Sequence, residues 1–171
     1  LMGEGAVGWG IVGPGDIAER VMAPAMTAAH RARLVAVLGR DRERTEAFAA
    51  RHGARRVHDR LDDLLADPDV DAVYLATPVG RHAPDTIAAL EAGKDVLVEK
   101  PMARSAAEAD AMIAAAERAG RRLAVCFYQR INPRHREARR LIATGAIGRV
   151  TAARVNFSGR SRPRPGGWRF D

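Results

Sequence analysis

Cysteine is close to absent from this chain of 171 residues. The single Cys126 excludes an internal disulfide framework and any zinc cluster built from cysteines, so a reducing cytoplasm is the expected compartment and no metal site is expected. Lysine is nearly as scarce: among 28 basic residues only Lys94 and Lys100 are lysines. Aromatic residues make up 5%, and the arginines are scattered instead of striped beside them, so the net charge of +7 is not read as a nucleic-acid surface. The Ala-, Arg- and Gly-rich composition looks more like coding bias. The one basic cluster, Arg160 to Arg169, interleaves Pro and Gly and reads as a solvated loop. Long apolar runs are missing as well. None reaches the roughly 18 residues that a membrane span requires, and no window has the form of a secretory signal. What is present is 47% apolar residues, in a length that suits one domain of ordinary size.

The chain opens on Val7-Gly8-Trp9-Gly10-Ile11-Val12-Gly13-Pro14-Gly15-Asp16-Ile17-Ala18. This reads as a short buried strand, a tight glycine turn and the start of a helix. Gly13, Gly15 and Ala18 fit the dinucleotide fingerprint in its G-x-G-x-x-A form. Gly13 lets the chain turn off the strand, Gly15 lets backbone N–H groups approach a pyrophosphate, and Ala18 lets the helix lie close. Pro14, Asp16 and Ile17 complete the loop, and the helix N-terminus adds partial positive charge for the phosphates. By itself the pattern also fits a plain strand-to-helix turn.

Further strands are expected over residues 33–38, 55–58, 71–76, 96–98 and 123–127. Helices fill the intervals, with Gly53, Gly93 and Gly120 as stops. Asp59 is expected to cap a short helix over residues 60–66, and Ser105 with Glu108 forms a capping box. Asn132 and Pro133 start another helix that Gly145 ends. Residues 150–157 are strand-like. Apolar strands alternating with helices predict an α/β fold, a Rossmann-type doubly wound parallel sheet with right-handed crossovers.

Ligands of such a sheet bind outside the carboxyl ends of the strands, which directs attention to those ends. The second strand runs to Arg40, where an NAD-preferring domain carries an acid for the ribose 2′-OH. A guanidinium there suits a 2′-phosphate, which tilts the expected cofactor to NADP, with NAD as the alternative. Asp41 is read as the cap of the next helix. The fourth strand ends in Thr77-Pro78, with His82 beyond. Thr77 offers a hydroxyl to the cofactor, and His82 is either a ligand contact or a surface histidine. The fifth ends in Glu99-Lys100-Pro101. Pro101 keeps Lys100 out of the helical region, and its ammonium is expected to donate to a substrate hydroxyl or help move its proton. Glu99 is expected to orient its surroundings. The sixth leads through Cys126, a core residue, to Tyr128 and Arg130, which are expected at the same cleft.

With these ends in place, the sequence resembles the Gfo/Idh/MocA family of NAD(P)-dependent oxidoreductases, named for glucose-fructose oxidoreductase and inositol dehydrogenase. Residues 9–18, 67–78 and 90–101 carry the likeness, with Asn132-Pro133 and residues 145–150 further on. The resemblance implies a Rossmann domain over residues 1–124. Residues 125–171 would begin a C-terminal substrate and oligomerisation domain with a mostly antiparallel sheet. It implies hydride transfer between a nicotinamide and a carbinol carbon of a sugar, cyclitol or related polyol, and a homodimer or homotetramer for the full-length chain. It places Lys100 beside nicotinamide and substrate; the sixth-strand end adds Tyr128 as an expected substrate contact. The strand-end reading and the resemblance together give an expected cofactor set of Gly13, Pro14, Gly15, Asp16, Ile17, Arg40, Thr77, Pro78, His82, Glu99, Lys100, Arg130, Trp168 and Arg169.

Two departures qualify the likeness. The family often has Asn after Thr-Pro, where this chain has Val79, and a side-chain contact to the cofactor is lost there. The family's second domain also carries an Asp and a His one helical turn apart, the His serving as acid/base after a Trp-Arg and a glycine-rich stretch. Here Trp168-Arg169-Phe170-Asp171 ends the sequence. The expectation is therefore a fragment of a longer chain or a truncated product, with a complete small Rossmann protein as the alternative. The competing functional class is a non-catalytic protein that senses NADP(H) through partner contacts; a methyltransferase is a weaker third, which the Glu99-Lys100-Pro101 strand end argues against.

Overall fold

A computed structural model describes residues 5–156. The chain divides into two compact units, one reaching to Phe127 and one starting at Tyr128. In the first unit, β1 (Val7–Val12) leads into a helix over residues 16–28, π-helical over Ala18–Met22 and α-helical over Ala23–Ala28 (α1). β2 (Ala32–Leu38), α2 (Arg42–His52), β3 (Arg56–His58) and α3 (Leu61–Ala66) follow. Then come β4 (Ala72–Leu75), α4 (His82–Glu91), β5 (Asp95–Val98), α5 (Ala106–Ala119) and β6 (Leu123–Val125). The second unit holds a 3₁₀ turn, Tyr128–Ile131, and α6 (Pro133–Ala143).

The six strands form one sheet in the order β3-β2-β1-β4-β5-β6, and every pairing is parallel. The chain steps outward from β1 to β3, then returns to β4 on the other side of β1. That reversal puts the topological switch point between β1 and β4. The strands are short apolar runs because both faces are covered; all four residues of β4 are buried. Successive side chains point to opposite faces. Val73 and Leu75 accordingly join a core with Leu64, Val70, Leu90 and Met112, while Tyr74 joins the other with Ile11, Val37 and Phe48.

Local chemistry explains most boundaries. Asp41 caps α2 by accepting from Arg44 N–H at 3.1 Å, and Ser105 caps α5 by accepting from Glu108 N–H at 3.2 Å. The Glu108 carboxylate turns to Arg104 N–H at 2.9 Å, so the capping box closes one residue earlier than its usual form. Asn132 accepts from Arg134 N–H at 3.0 Å ahead of Pro133.

Two expectations are corrected. Asp59 does not cap α3: Arg60 holds the cap position, and Asp59 accepts from the Arg42 guanidinium at 2.6 Å, a charge-assisted bond stronger than one to a neutral amide. Residues 151–156 form no strand, because none of the described residues pairs with them, and an unpaired strand leaves its backbone groups unsatisfied. The antiparallel sheet of a second domain is therefore not seen among the described residues.

Candidate functional site

The register of the sheet builds the site. Leu38, Val12, Leu75, Val98 and Val125 pair across successive strands and form one row at the carboxyl edge. Two residues beyond that row stand Arg40, Pro14, Thr77 and Lys100, one from each of β2, β1, β4 and β5. Four residues distant in sequence thus leave the same carboxyl edge of the sheet, from strands that flank the switch point.

The glycine turn sits between its neighbours' loops. Gly13 has φ +89°, and a Cβ there would lie 2.7 Å from the Ala76 carbonyl oxygen. The turn therefore lies directly against the exit of β4, whose Ala76 N–H donates to the Val12 carbonyl at 2.9 Å. On the other side, a Cβ on Gly39 would come within 2.9 Å of Pro14. Gly15 is different: a Cβ built on it meets no protein atom within 4 Å, and the residue is exposed. Asp16 and Ile17, also exposed, open the helix behind it, and Ala18 is fully buried against the core.

Arg40 is exposed, and its guanidinium makes no hydrogen bond or ion pair among the described residues. Asp41 is committed to α2, since its carboxylate caps the helix and its carbonyl accepts from Thr45.

Past β4, the Thr77 hydroxyl is buried and has no hydrogen-bond partner. A buried hydroxyl without a partner is costly, and among the described residues none offsets that cost at Thr77. Pro78 is exposed and precedes a 3₁₀ turn, Val79–Arg81. His82 is neither a surface residue nor free for a ligand. It is 2% exposed, with Nδ1 2.8 Å from the Pro101 carbonyl oxygen and Nε2 2.8 Å from the Thr77 carbonyl oxygen. One turn on, Asp85 is buried, and burial raises its carboxyl pKa against the opposing pull of the Arg81 guanidinium.

Past β5, Glu99 is buried and works inward. It accepts from the Tyr74 hydroxyl at 2.8 Å and from Lys100 N–H at 3.1 Å. Burial and the Glu99 carboxylate push the Tyr74 phenol far above its usual range, and together they push the Cys126 thiol up to about 11. The Lys100 side chain is exposed and makes no hydrogen bond or ion pair among the described residues, and the Lys100–Pro101 peptide is cis. The other lysine, Lys94, donates to the Asp67 and Val70 carbonyls at 3.0 and 2.7 Å and serves the fold.

Residues 7–127 match the model of a family described as an oxidoreductase family with an NAD-binding Rossmann fold. The chain belongs to the Gfo/Idh/MocA oxidoreductase family. It is 37% identical to a 1,5-anhydro-D-fructose reductase from Ensifer adhaerens over 163 residues, which is 95% of this chain and 49% of that protein. It is 39% identical to a dTDP-3,4-didehydro-2,6-dideoxy-alpha-D-glucose 3-reductase from Streptomyces violaceoruber over 149 residues, 87% of this chain and 43% of that one. Among solved structures it is similar to a 3-ketoreductase from Actinomadura kijaniata in complex with NADP. The TM-score there is 0.78 at 34% identity, covering 84% of this chain and 45% of that one. The chain spans about half the length of the curated relatives it matches.

A dinucleotide of this oxidoreductase family fits the residues present, on two observations of the structure itself: the open side of Gly15 and the partnerless hydroxyl of Thr77. Tyr128 and Arg130 lie on the 3₁₀ turn of the second unit and are exposed. Trp168 and Arg169 lie outside the described residues. Tyr74 and Asp85 were not singled out from the sequence. A tyrosine inside an otherwise apolar strand is the signal that a buried polar partner is near; Asp85 has no comparable mark. No helix among the described residues is long and apolar enough to cross a membrane.

Proposed function

We propose that this domain binds NADP(H) along the carboxyl edge of its sheet, and that the whole protein transfers a hydride between the nicotinamide and a carbinol carbon of a sugar, cyclitol or related polyol. The observation that carries the reading is that the exits of the paired strands β4 and β5 present a buried Thr77 hydroxyl and an exposed Lys100 ammonium, neither with a hydrogen-bond partner among the described residues. The bound nicotinamide supplies the hydride chemistry. The turn at Gly13, Pro14 and Gly15 and the first N–H groups of the helix, at Asp16 and Ile17, hold the pyrophosphate. Arg40 reaches the 2′-phosphate of the adenosine, as the only member of the row that carries a guanidinium. Thr77, with Pro78 fixing its loop, contacts the cofactor. Glu99 anchors the Lys100 backbone from below. Lys100 donates to the substrate oxygen, which favours its alkoxide when the carbon is oxidised and returns a proton when it is reduced. Keto-sugar reduction is the activity named for relatives that match nearly the whole chain, and NADP is the cofactor bound in the similar ketoreductase.

Two variants of the full-length protein test this. Arg40→Ala should cut the preference for NADPH over NADH at least tenfold in fluorescence titrations; a parent that prefers NADH overturns the reading of Arg40. Lys100→Ala should lower kcat by roughly 100- to 10,000-fold and leave NADPH affinity within threefold. The substrates are a panel of keto sugars, 1,5-anhydro-D-fructose first, and polyols for the reverse direction. Normal turnover by Lys100→Ala removes the lysine from the mechanism, and a parent that binds NADPH but turns over nothing favours the sensing class.

A further inference from the structure

His82 occupies a place that neither a ligand contact nor a surface residue would have. Its ring is buried and bridges two loops that leave adjacent strands. Nε2 faces the carbonyl of Thr77, the residue whose hydroxyl has no protein partner, and Nδ1 faces the carbonyl of Pro101, the residue after Lys100. Carbonyl oxygens only accept, so each contact is a hydrogen bond when the ring nitrogen facing it carries the proton. The first turn of α4 carries the ring, and the strand register fixes how far apart β4 and β5 are. The one quantity the sheet leaves open is how the two exit loops are spaced once they leave their strands, and the imidazole spans that gap.

We infer that His82 is a positioning residue that sets Lys100 through the Pro101 carbonyl and Thr77 through its own carbonyl, so that one ring fixes the spacing between the cofactor loop and the lysine. This rests on the proposed role of Lys100. Lys100 has no side-chain bond of its own and its backbone is held on one side by Glu99; the Pro101 bond holds the other side. The arrangement separates two effects that a merely packed histidine would merge. The Nδ1 bond governs where the lysine stands, and the Nε2 bond governs where the Thr77 hydroxyl points.

Asn and Gln resolve the two. The Asn amide nitrogen falls near the Nδ1 position of histidine, and that of Gln near Nε2. In the full-length protein, with NADPH and the keto sugar that the parent reduces fastest, His82→Gln should lose kcat by roughly 10- to 100-fold, the scale of an ångström-level misplacement, with the Kd for NADPH within threefold. His82→Asn should keep kcat within threefold and weaken NADPH binding about tenfold. In a Lys100→Ala background, His82→Gln should change kcat less than twofold, since no lysine remains to be set. Equal losses of kcat in both variants, losses that simply track thermal stability, or the failure of both variants to melt cooperatively would each overturn the positioning role and leave His82 a structural residue. A Lys100→Ala protein that turns over normally overturns the lysine reading first, and the positioning role with it.

Discussion

Gly13 and Gly15 stand two residues apart in one loop, yet substitution by alanine should damage different properties. At Gly13 the backbone is left-handed, with φ +89°. An L-residue there costs about 1–2 kcal/mol before any contact is considered. Its Cβ would also lie 2.7 Å from the Ala76 oxygen and 2.8 Å from the Ala76 carbonyl carbon. Both are backbone atoms, so no side chain can swing away, and relief has to come from moving the exit of β4. That movement weakens the 2.9 Å bond from Ala76 N–H to the Val12 carbonyl, worth about 1 kcal/mol. Gly13→Ala should therefore destabilise the unliganded protein by about 2–3 kcal/mol, a large share of the usual 5–15 kcal/mol.

At Gly15 the added methyl meets no protein atom within 4 Å, and the residue does not have a left-handed φ. Unliganded stability should stay within about 0.5 kcal/mol of the parent. The methyl stands where the turn is open, however, so NADPH affinity should fall on the order of 10- to 100-fold, or about 1.4–2.8 kcal/mol. Urea unfolding without cofactor reads the first property, and NADPH fluorescence titration of the whole protein reads the second. A Gly13→Ala protein with the parental midpoint would refute the steric argument. A Gly15→Ala protein that binds NADPH like the parent would show that the pyrophosphate does not lie on this turn.

Three other substitutions or reactions check the strand ends. Tyr74→Phe removes the only side-chain hydroxyl that bonds the buried Glu99 carboxylate among the described residues and should cost about 1–3 kcal/mol in chemical denaturation; an unchanged midpoint would mean the 2.8 Å bond contributes nothing. Thr77→Val deletes a buried hydroxyl that no protein group satisfies, so the unliganded protein should be as stable as the parent or up to about 1 kcal/mol more so, while NADPH affinity drops about tenfold; a loss of stability with affinity intact would contradict this. Cys126, pushed from 9.0 to about 11 by burial and Glu99, holds about 100-fold less thiolate than an ordinary cysteine. Its peptide should label slowly with iodoacetamide at pH 8, and rapid labelling there would argue against a thiol kept protonated by partial burial and Glu99. The fold retains that proton better than the unfolded chain, so the contribution is present below pH 9 and is lost as the pH rises toward 11.

The elements that were legible from sequence are those whose signals are local. Gly53 and Gly120 end α2 and α5, Ser105 and Asn132 begin α5 and α6, and four apolar runs announce central strands. The positions of the glycine turn and of Arg40, Thr77 and Lys100 at strand ends were legible for the same reason, because each lies within two residues of an apolar run that marks a buried strand. Asp59 misled because its competitor, Arg42, is 17 residues away, and nothing local reveals that a guanidinium will arrive. Residues 150–156 misled because a strand-like run forms a strand only where a partner strand pairs with it, and none does among the described residues.

His82 marks the boundary between the two kinds of information. A histidine four residues after Pro78 and at the head of a helix is equally compatible with water, ligand or core, because what decides is the position of two carbonyls, and one of them lies 19 residues on. The two lysines make the same point from the other side. Lys94 and Lys100 are six residues apart and chemically identical, and each flanks the same short strand. The amino end of β5 gives Lys94 two carbonyls to neutralise its donors. The carboxyl end gives Lys100 a backbone anchor in Glu99 and, among the described residues, no hydrogen bond or ion pair for its ammonium. An ammonium left without a partner is open to a substrate, so the direction of the strand commits Lys94 to the fold and leaves Lys100 open for the role proposed for it. An exchange experiment follows directly. Lys94→Met should cost stability through two stranded carbonyls, about 1–3 kcal/mol, with kcat within twofold of the parent. A Lys94→Met protein that is fully stable but slow would place the reactive lysine at the wrong end of the strand and undo the assignment of Lys100.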